Sequence, residues 1–162
     1  MKKIVYAAAL AALFVGCSQK APVEAPKSID QQATVNVDVK EDVDSKIQRI
    51  NSSLARIYFD FDKYDIRSDM YSAVSSNANI LKDDAKEFNV LVEGNCDEWG
   101  SEEYNQALGL KRAKAVKDAL ESQGVYGSRI VLKSNGENNP VCTDKTKACD
   151  AQNRRAELKV QF

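Results

Sequence analysis

Three observations predict an α/β sandwich, with helices packed on one face of a mixed four-stranded sheet. Short segments of alternating apolar and polar residues recur from about Lys46 to the end of the chain. Between them lie two longer stretches whose apolar residues recur at helical spacing. The order is β-α-β-α-β-β, which layers helices on a sheet.

In the first strand Ile57, Phe59 and Phe61 alternate with Tyr58, Asp60 and Asp62, so the apolar set faces one side. Ser68 or Asp69 can cap a helix running to about Asp84, with Met70, Val74 and Leu81 among its apolar positions. A second strand over 88–93 contains Val90 and Val92 and ends at Gly94. A long helix follows from about Glu102 to Gln123. Ser101 is its expected N-cap, Glu102 and Glu103 suit the positive end of its dipole, and Gly124 is its expected stop. Ile130 to Lys133 form a third strand. Ala156, Leu158, Val160 and Phe162 alternate as a fourth, with little or no helix before it.

Upstream, Lys2 and Lys3 precede an uncharged apolar run, Ile4 to Val15. Such a run reaches about 18 Å as a helix, short of the ~30 Å hydrocarbon core. Residues 1–16 are therefore read as a secretory signal rather than a membrane span. The run ends Leu13-Phe14-Val15-Gly16-Cys17. A small residue followed at once by cysteine resembles a bacterial lipobox, with Phe14 where leucine is usual. On that reading Cys17 carries a thioether diacylglycerol and an amide-linked acyl chain. Two or more chains anchor a protein stably, at ~0.8 kcal/mol per buried CH₂. The alternative is an ordinary signal followed by an incidental cysteine. Residues 17–45 are the lipidated cysteine and a flexible tether: Pro22, Pro26 and many polar residues, with no aromatic. Such a tether spans ~30 Å on average. Residues 46–162 are the folded domain.

Composition narrows the function classes. The chain has 162 residues, 23 basic and 24 acidic, and no histidine. Without Lys2 and Lys3 the net charge is −3, which offers no electrostatic footprint for nucleic acid. The lack of histidine removes every catalytic arrangement built on imidazole and the commonest metal ligand. No metal and no cofactor is expected. An exported chain meets an oxidising space. Cys142 and Cys149, with six residues between them in a polar loop, are expected to form a disulfide worth roughly 2–3 kcal/mol; two free thiols are the alternative. Cys96 is then left unpaired, and buried rather than reactive.

Five segments carry the candidate chemistry: FDFDKYDI (59–66), LVEGNCDEWG (91–100), EEYNQALGLKRAKAV (102–116), SNGENNP (134–140) and QNRRAELKV (152–160). Asn105, Leu108 and Arg112 fall at i, i+3 and i+7 and share one helical face. Asp97 stands just before that helix. A carboxylate there and a guanidinium three turns along can flank one groove, offering a cation site beside an anion site. Charge-assisted bonds at both ends favour a small zwitterion, and arginine's planar fork suits its carboxylate.

These segments are similar to the OmpA-like peptidoglycan-binding domain family, and within it to the peptidoglycan-associated lipoproteins. The resemblance covers about residues 50–162, with the lipobox and tether added. It implies noncovalent binding of the peptidoglycan stem peptide through diaminopimelate. Asp97 matches the family's ammonium-binding aspartate and Arg112 its carboxylate-binding arginine. Asp62 matches a first-strand loop aspartate near the ligand, and Asn105 and Leu108 match residues lining the pocket. Tyr64, Cys96 and Arg154 are additional candidates, Arg154 in a role as often structural as functional. The resemblance further implies an anchor in the inner leaflet of the outer membrane, a periplasmic domain, and Tol-system partners such as TolB. The chain departs from the family at Trp99, where arginine is usual, and at Cys96, where threonine or alanine is common. The Cys142–Cys149 loop is an elaboration.

Blander readings stand beside these. Asp97 is also explained as a turn residue, Arg112 as a solvated helix charge, and Trp99 as a packing residue or as an exposed contact for sugar or protein. A glycosidase would need a carboxylate pair drawn from Asp60, Asp62, Glu93, Asp97 and Glu98, and nothing in the sequence holds one of them protonated. The expected function is a non-catalytic envelope lipoprotein that ties the outer membrane to the cell wall. An adaptor for a periplasmic protein is the alternative and a wall hydrolase the remote one.

Overall fold

Strand alternation gives the sheet two unlike faces. Val90, Val92, Ala156, Leu158 and Val160 are buried on one side, against Val74, Ala78, Leu81, Ala113, Val116 and Leu120 from two helices. The other side is polar and centres on Glu93, which bonds Lys133 at 3.0 Å and Lys159 at 2.5 Å.

The computed structural model describes residues 41–162. The expected signal, Cys17 and the tether up to residue 40 lie outside the described residues. The elements are α1 (Val43–Ser53), β1 (Ile57–Tyr58), a 3-10 turn (Ser68–Met70), α2 (Tyr71–Lys82), β2 (Asn89–Asn95), α3 (Glu102–Ser122), a second 3-10 turn (Gly127–Arg129), β3 (Ile130–Gly136), α4 (Lys147–Asn153) and β4 (Arg155–Gln161). The sheet order is β1-β4-β2-β3. β2 and β3 are parallel, and the other two pairings are antiparallel. The class is the predicted one, a mixed four-stranded α/β sheet.

Several elements differ from expectation. β1 pairs only through Ile57 and Tyr58. Phe59 is still buried and its N–H donates to the Arg154 carbonyl at 3.0 Å. Phe61, however, is 60% exposed, and Asp62 turns left-handed at φ 57°. The apolar alternation thus runs past the strand into a loop. α2 has no side-chain cap: Ser68 and Asp69 lie in the 3-10 turn before it, which puts Met70 at the cap position, and Asp69 bonds Arg67.

β2 continues through Gly94 rather than stopping there. Gly94 serves a close approach: a Cβ on it would lie 1.8 Å from the Gly109 carbonyl oxygen of α3. This glycine pair seats the helix directly on the strand that leads to Asp97. α3 matches its prediction, with the Ser101 hydroxyl accepting from the Tyr104 N–H at 3.2 Å and Gly124 at φ 90° beyond its end.

Two helices are additional. α1 is capped by Asp42, which accepts from the Ser45 N–H. Its Asn51 side chain bonds both the N–H (2.7 Å) and the carbonyl (3.2 Å) of Val160. A side-chain amide thereby covers the part of the β4 edge that short β1 leaves unpaired. α4 is a one-to-two-turn helix inside the expected loop, capped by Thr146. The Cys142–Cys149 disulfide is formed, with Cα atoms 5.2 Å apart.

Candidate functional site

β2 ends at Asn95, and Asp97 stands in the turn between it and α3. Asp97 is only 4% exposed. Its Oδ2 accepts from Arg154 Nη1 at 3.0 Å, and Arg154 Nε donates to the Phe59 carbonyl at 3.2 Å. Arg154 therefore orients the carboxylate and ties it to the end of β1.

Arg112 is fully buried. Its Nε donates to the Lys63 carbonyl at 2.9 Å, Nη1 to the Asn95 carbonyl at 2.8 Å, and Nη2 to the Asp60 carbonyl at 3.2 Å. Nη1 also reaches Cys96 Sγ at 3.4 Å. The guanidinium stitches the β1–α2 loop to the end of β2. Burial pushes its pKa down from the usual range, with Asp97 and Asp62 among the neighbours that oppose the shift. An arginine remains charged there.

A cavity of about 210 Å³ opens beside Asp97, lined also by Phe61, Asp62, Trp99, Gly100, Tyr104 and Leu108. A hollow of about 180 Å³ adjoins it, sharing Asp62, Tyr104 and Leu108 and adding Tyr64, Ala107 and Lys111. The Tyr104 hydroxyl donates to Asp62 Oδ1 at their junction, and that bond holds the phenol above its ordinary pKa. Lys111 Nζ sits 5.5 Å over the Tyr64 ring.

Asp62, Asp97 and Leu108 thus meet at one cavity, with Tyr64 next door. Arg112 does not line it. The structure does not bring Asp97 and Arg112 together on one open groove: backbone carbonyls of the 60–63 loop and Asn95 engage the buried guanidinium. Asn105 is also fully buried. Its Nδ2 donates to Glu137 Oε2 at 2.5 Å and to the Asp97 carbonyl at 3.4 Å. Among the described residues, Asn105 Oδ1 is the one buried side-chain polar atom without a partner. Both amide atoms lie near where a Cβ on Gly100 would stand, Oδ1 at 3.6 Å and Nδ2 at 3.7 Å, so the Asn105 amide packs under the turn that bounds the cavity without itself lining it. Buried acceptors are nearly always satisfied, and an N–H from a ligand is one way to satisfy this one.

Cys96 is free and buried. Burial pushes its thiol up to about 11, against the lowering effect of Arg112, so it is a neutral packing group. Glu93, one of the carboxylates weighed for acid catalysis, is held near 2 and is ionised at neutral pH. Sequence reasoning missed Phe61, Gly100 and Tyr104 as lining residues and Glu137 as the partner of Asn105. The FDFD alternation and the glycine ending the 91–100 segment were the available signals for Phe61 and Gly100.

The OmpA family profile matches residues 58–154. A peptidoglycan-associated lipoprotein of Pseudomonas putida is 38% identical over 152 residues, covering 91% of this chain and 90% of the relative. One from Mesorhizobium japonicum is 43% identical over 101 residues, covering 62% of this chain and 60% of the relative. The crystal structure of the peptidoglycan-associated lipoprotein from Burkholderia pseudomallei superposes at TM-score 0.62 with 40% identity, covering 65% of this chain and 89% of that one. The C-terminal domain of Helicobacter pylori MotB shares the fold, at TM-score 0.62 and 22% identity over 67% of this chain and 84% of that one.

Proposed function

Since the chain belongs to the OmpA family and is similar along most of its length to peptidoglycan-associated lipoproteins, we propose that it is a non-catalytic envelope lipoprotein that grips the diaminopimelate-containing stem peptide of peptidoglycan. The observation that carries this reading is the cavity where Asp97, Asp62 and Leu108 converge beside the unpartnered Asn105 Oδ1. The ligand's ammonium is received by Asp97, with Asn105 Oδ1 as a further acceptor. Its carboxylate takes the Arg112 donors now held by the Asp60 and Lys63 carbonyls. That exchange requires residues 60–63 to shift, next to the left-handed Asp62.

Lipid on Cys17 anchors the chain in the inner leaflet of the outer membrane, with the domain in the periplasm. Membrane and wall are then coupled through one polypeptide. The test is sedimentation with purified sacculi. Asp97→Asn removes the charge but not the shape, and is expected to abolish co-sedimentation, since an unpaired buried charge costs ~2–5 kcal/mol. Because Asp97→Asn also leaves Arg154 without its counter-charge, a melting transition that stays above the assay temperature shows that the fold is intact. Retention equal to the wild type overturns the site.

An adaptor role within a Tol system, with TolB as partner, is the second reading. It is favoured by the exposed Phe61 and Tyr104 at the cavity mouth, which offer a protein apolar surface. Competition between a soluble muropeptide and TolB for the domain is expected if both use this mouth, and independent binding rejects a shared surface.

A further inference from the structure

Trp99 is 59% exposed, Phe61 60% and Tyr104 49%, and all three border the same cavity as Asp97. Aromatic surface left in water beside a polar cavity marks an interaction site. The polar handles of two of the rings are already used. Trp99 Nε1 donates to Asp150 Oδ2 at 3.1 Å, and the Tyr104 hydroxyl to Asp62. What remains for a ligand is ring face and ring edge.

The indole is also held in place. Asp150 lies on α4, whose N-terminal half is closed by the Cys142–Cys149 bridge. The same loop is tied to the turn once more through Lys145 and Glu98. The chain's elaborated loop thus acts as a bracket that presents Trp99. A rigid aromatic presented in this way loses little entropy on binding.

Ring faces attract either cations or the polarised C–H groups of an otherwise neutral ring. The cation of the ligand already has its acceptor in this cavity, the Asp97 carboxylate, which leaves the exposed ring faces for an uncharged part of the ligand. A neutral ring with an apolar face fits better. Spacing permits this: Trp99 is two residues from Asp97, at most ~7 Å between Cα atoms. The two peptide residues between the diamino acid of a stem peptide and its amino sugar span up to ~11 Å when extended, so a bent stem peptide bridges the two positions.

We propose that Trp99, with Phe61 beside it, is a stacking platform for the hexopyranose ring from which the stem peptide hangs. This makes Trp99 a specificity-determining residue, and it rests on the stem-peptide reading of the site. The chain then reads sugar and peptide together.

The experiment is calorimetric titration of the full chain with two ligands, a disaccharide-peptide muropeptide and the same stem peptide freed of its sugars. The wild type is expected to prefer the muropeptide by about three- to tenfold, the range of a single aromatic contact. In Trp99→Ala that ratio falls to about one. In Trp99→Phe, which keeps a ring but not the Asp150 bond, it falls partway. Equal binding of both ligands by the wild type overturns the platform while leaving the stem-peptide reading intact, and so does a ratio that persists in Trp99→Ala. If the wild type binds neither ligand, both readings fall. If Trp99→Ala abolishes binding of TolB but not sugar discrimination, the indole is a protein contact and the platform is rejected.

Discussion

Arg112 shows how much a single side chain does before any ligand arrives. Its guanidinium bonds three backbone carbonyls from two segments far apart in the chain, and it is fully buried. Truncation would leave those carbonyls unsatisfied around a cavity. Arg112→Ala is therefore expected to lose about 3 kcal/mol of stability as well as wall binding, which urea unfolding measures. A loss below about 0.5 kcal/mol would show that the buried bonds contribute nothing net. Asp97→Asn is the cleaner probe of recognition, since it keeps the volume. At this scale the helical spacing correctly put Asn105, Leu108 and Arg112 on one face. Spacing does not say whether a long side chain reaches solvent or folds onto carbonyls. The Asp97–Arg154 pair joins residues 57 apart in sequence, a relation that only the β4–β2 register creates.

Among the elements, β2 carries both the support and the site. Its inner face holds Val90, Val92 and Gly94 against the helices, and its outer face holds Glu93. Burial alone would raise the Glu93 pKa. Hydrogen bonds from Lys159, Lys133 and Asn135 outweigh that and bring it from 4.5 to about 2. A folded value below the unfolded one means stability that is fully present above pH 4.5 and lost as pH falls towards 2. Glu93→Gln is expected to cost about 2 kcal/mol at pH 7. The gap to the wild type should close progressively between pH 4.5 and 2, as chemical denaturation at stepped pH would record. Because Lys133 and Lys159 are half exposed, added salt should narrow the gap as well. A gap independent of pH would mean that the charge is not what stabilises. β2, α3, β3 and β4 were legible because their periodicity is clean and their caps conventional. α1 was legible in principle: Val43, Ile47, Ile50 and Leu54 recur at helical spacing behind Asp42. Their polar setting and the adjoining tether hid it. α4, seven residues between loop segments, has too few apolar positions for a period to show. β1 was over-extended because the alternation that builds a strand also places Phe61 at the rim of a cavity.

At the scale of the whole molecule, the proposed function needs two attachments that fail independently. In the proposed function the domain's hold on the wall depends on buried charge and a shaped cavity, and anchoring depends separately on acyl chains at Cys17, at ~0.8 kcal/mol per buried CH₂. The segment between them is expected from its composition to be a flexible tether of roughly 30 Å mean span, which leaves the two attachments independent. Cys17→Ser is therefore expected to release the protein from the membrane fraction once sacculi are digested, while its co-sedimentation with purified sacculi stays at the wild-type level. Asp97→Asn should do the converse, staying with membranes and leaving the wall. The double variant should appear in the soluble periplasmic fraction. Envelope fractionation with and without wall digestion distinguishes the four proteins. A Cys17→Ser variant that stays with membranes after digestion would mean that something other than lipid holds the chain there, and the two-point tether would be wrong even with the wall site correct.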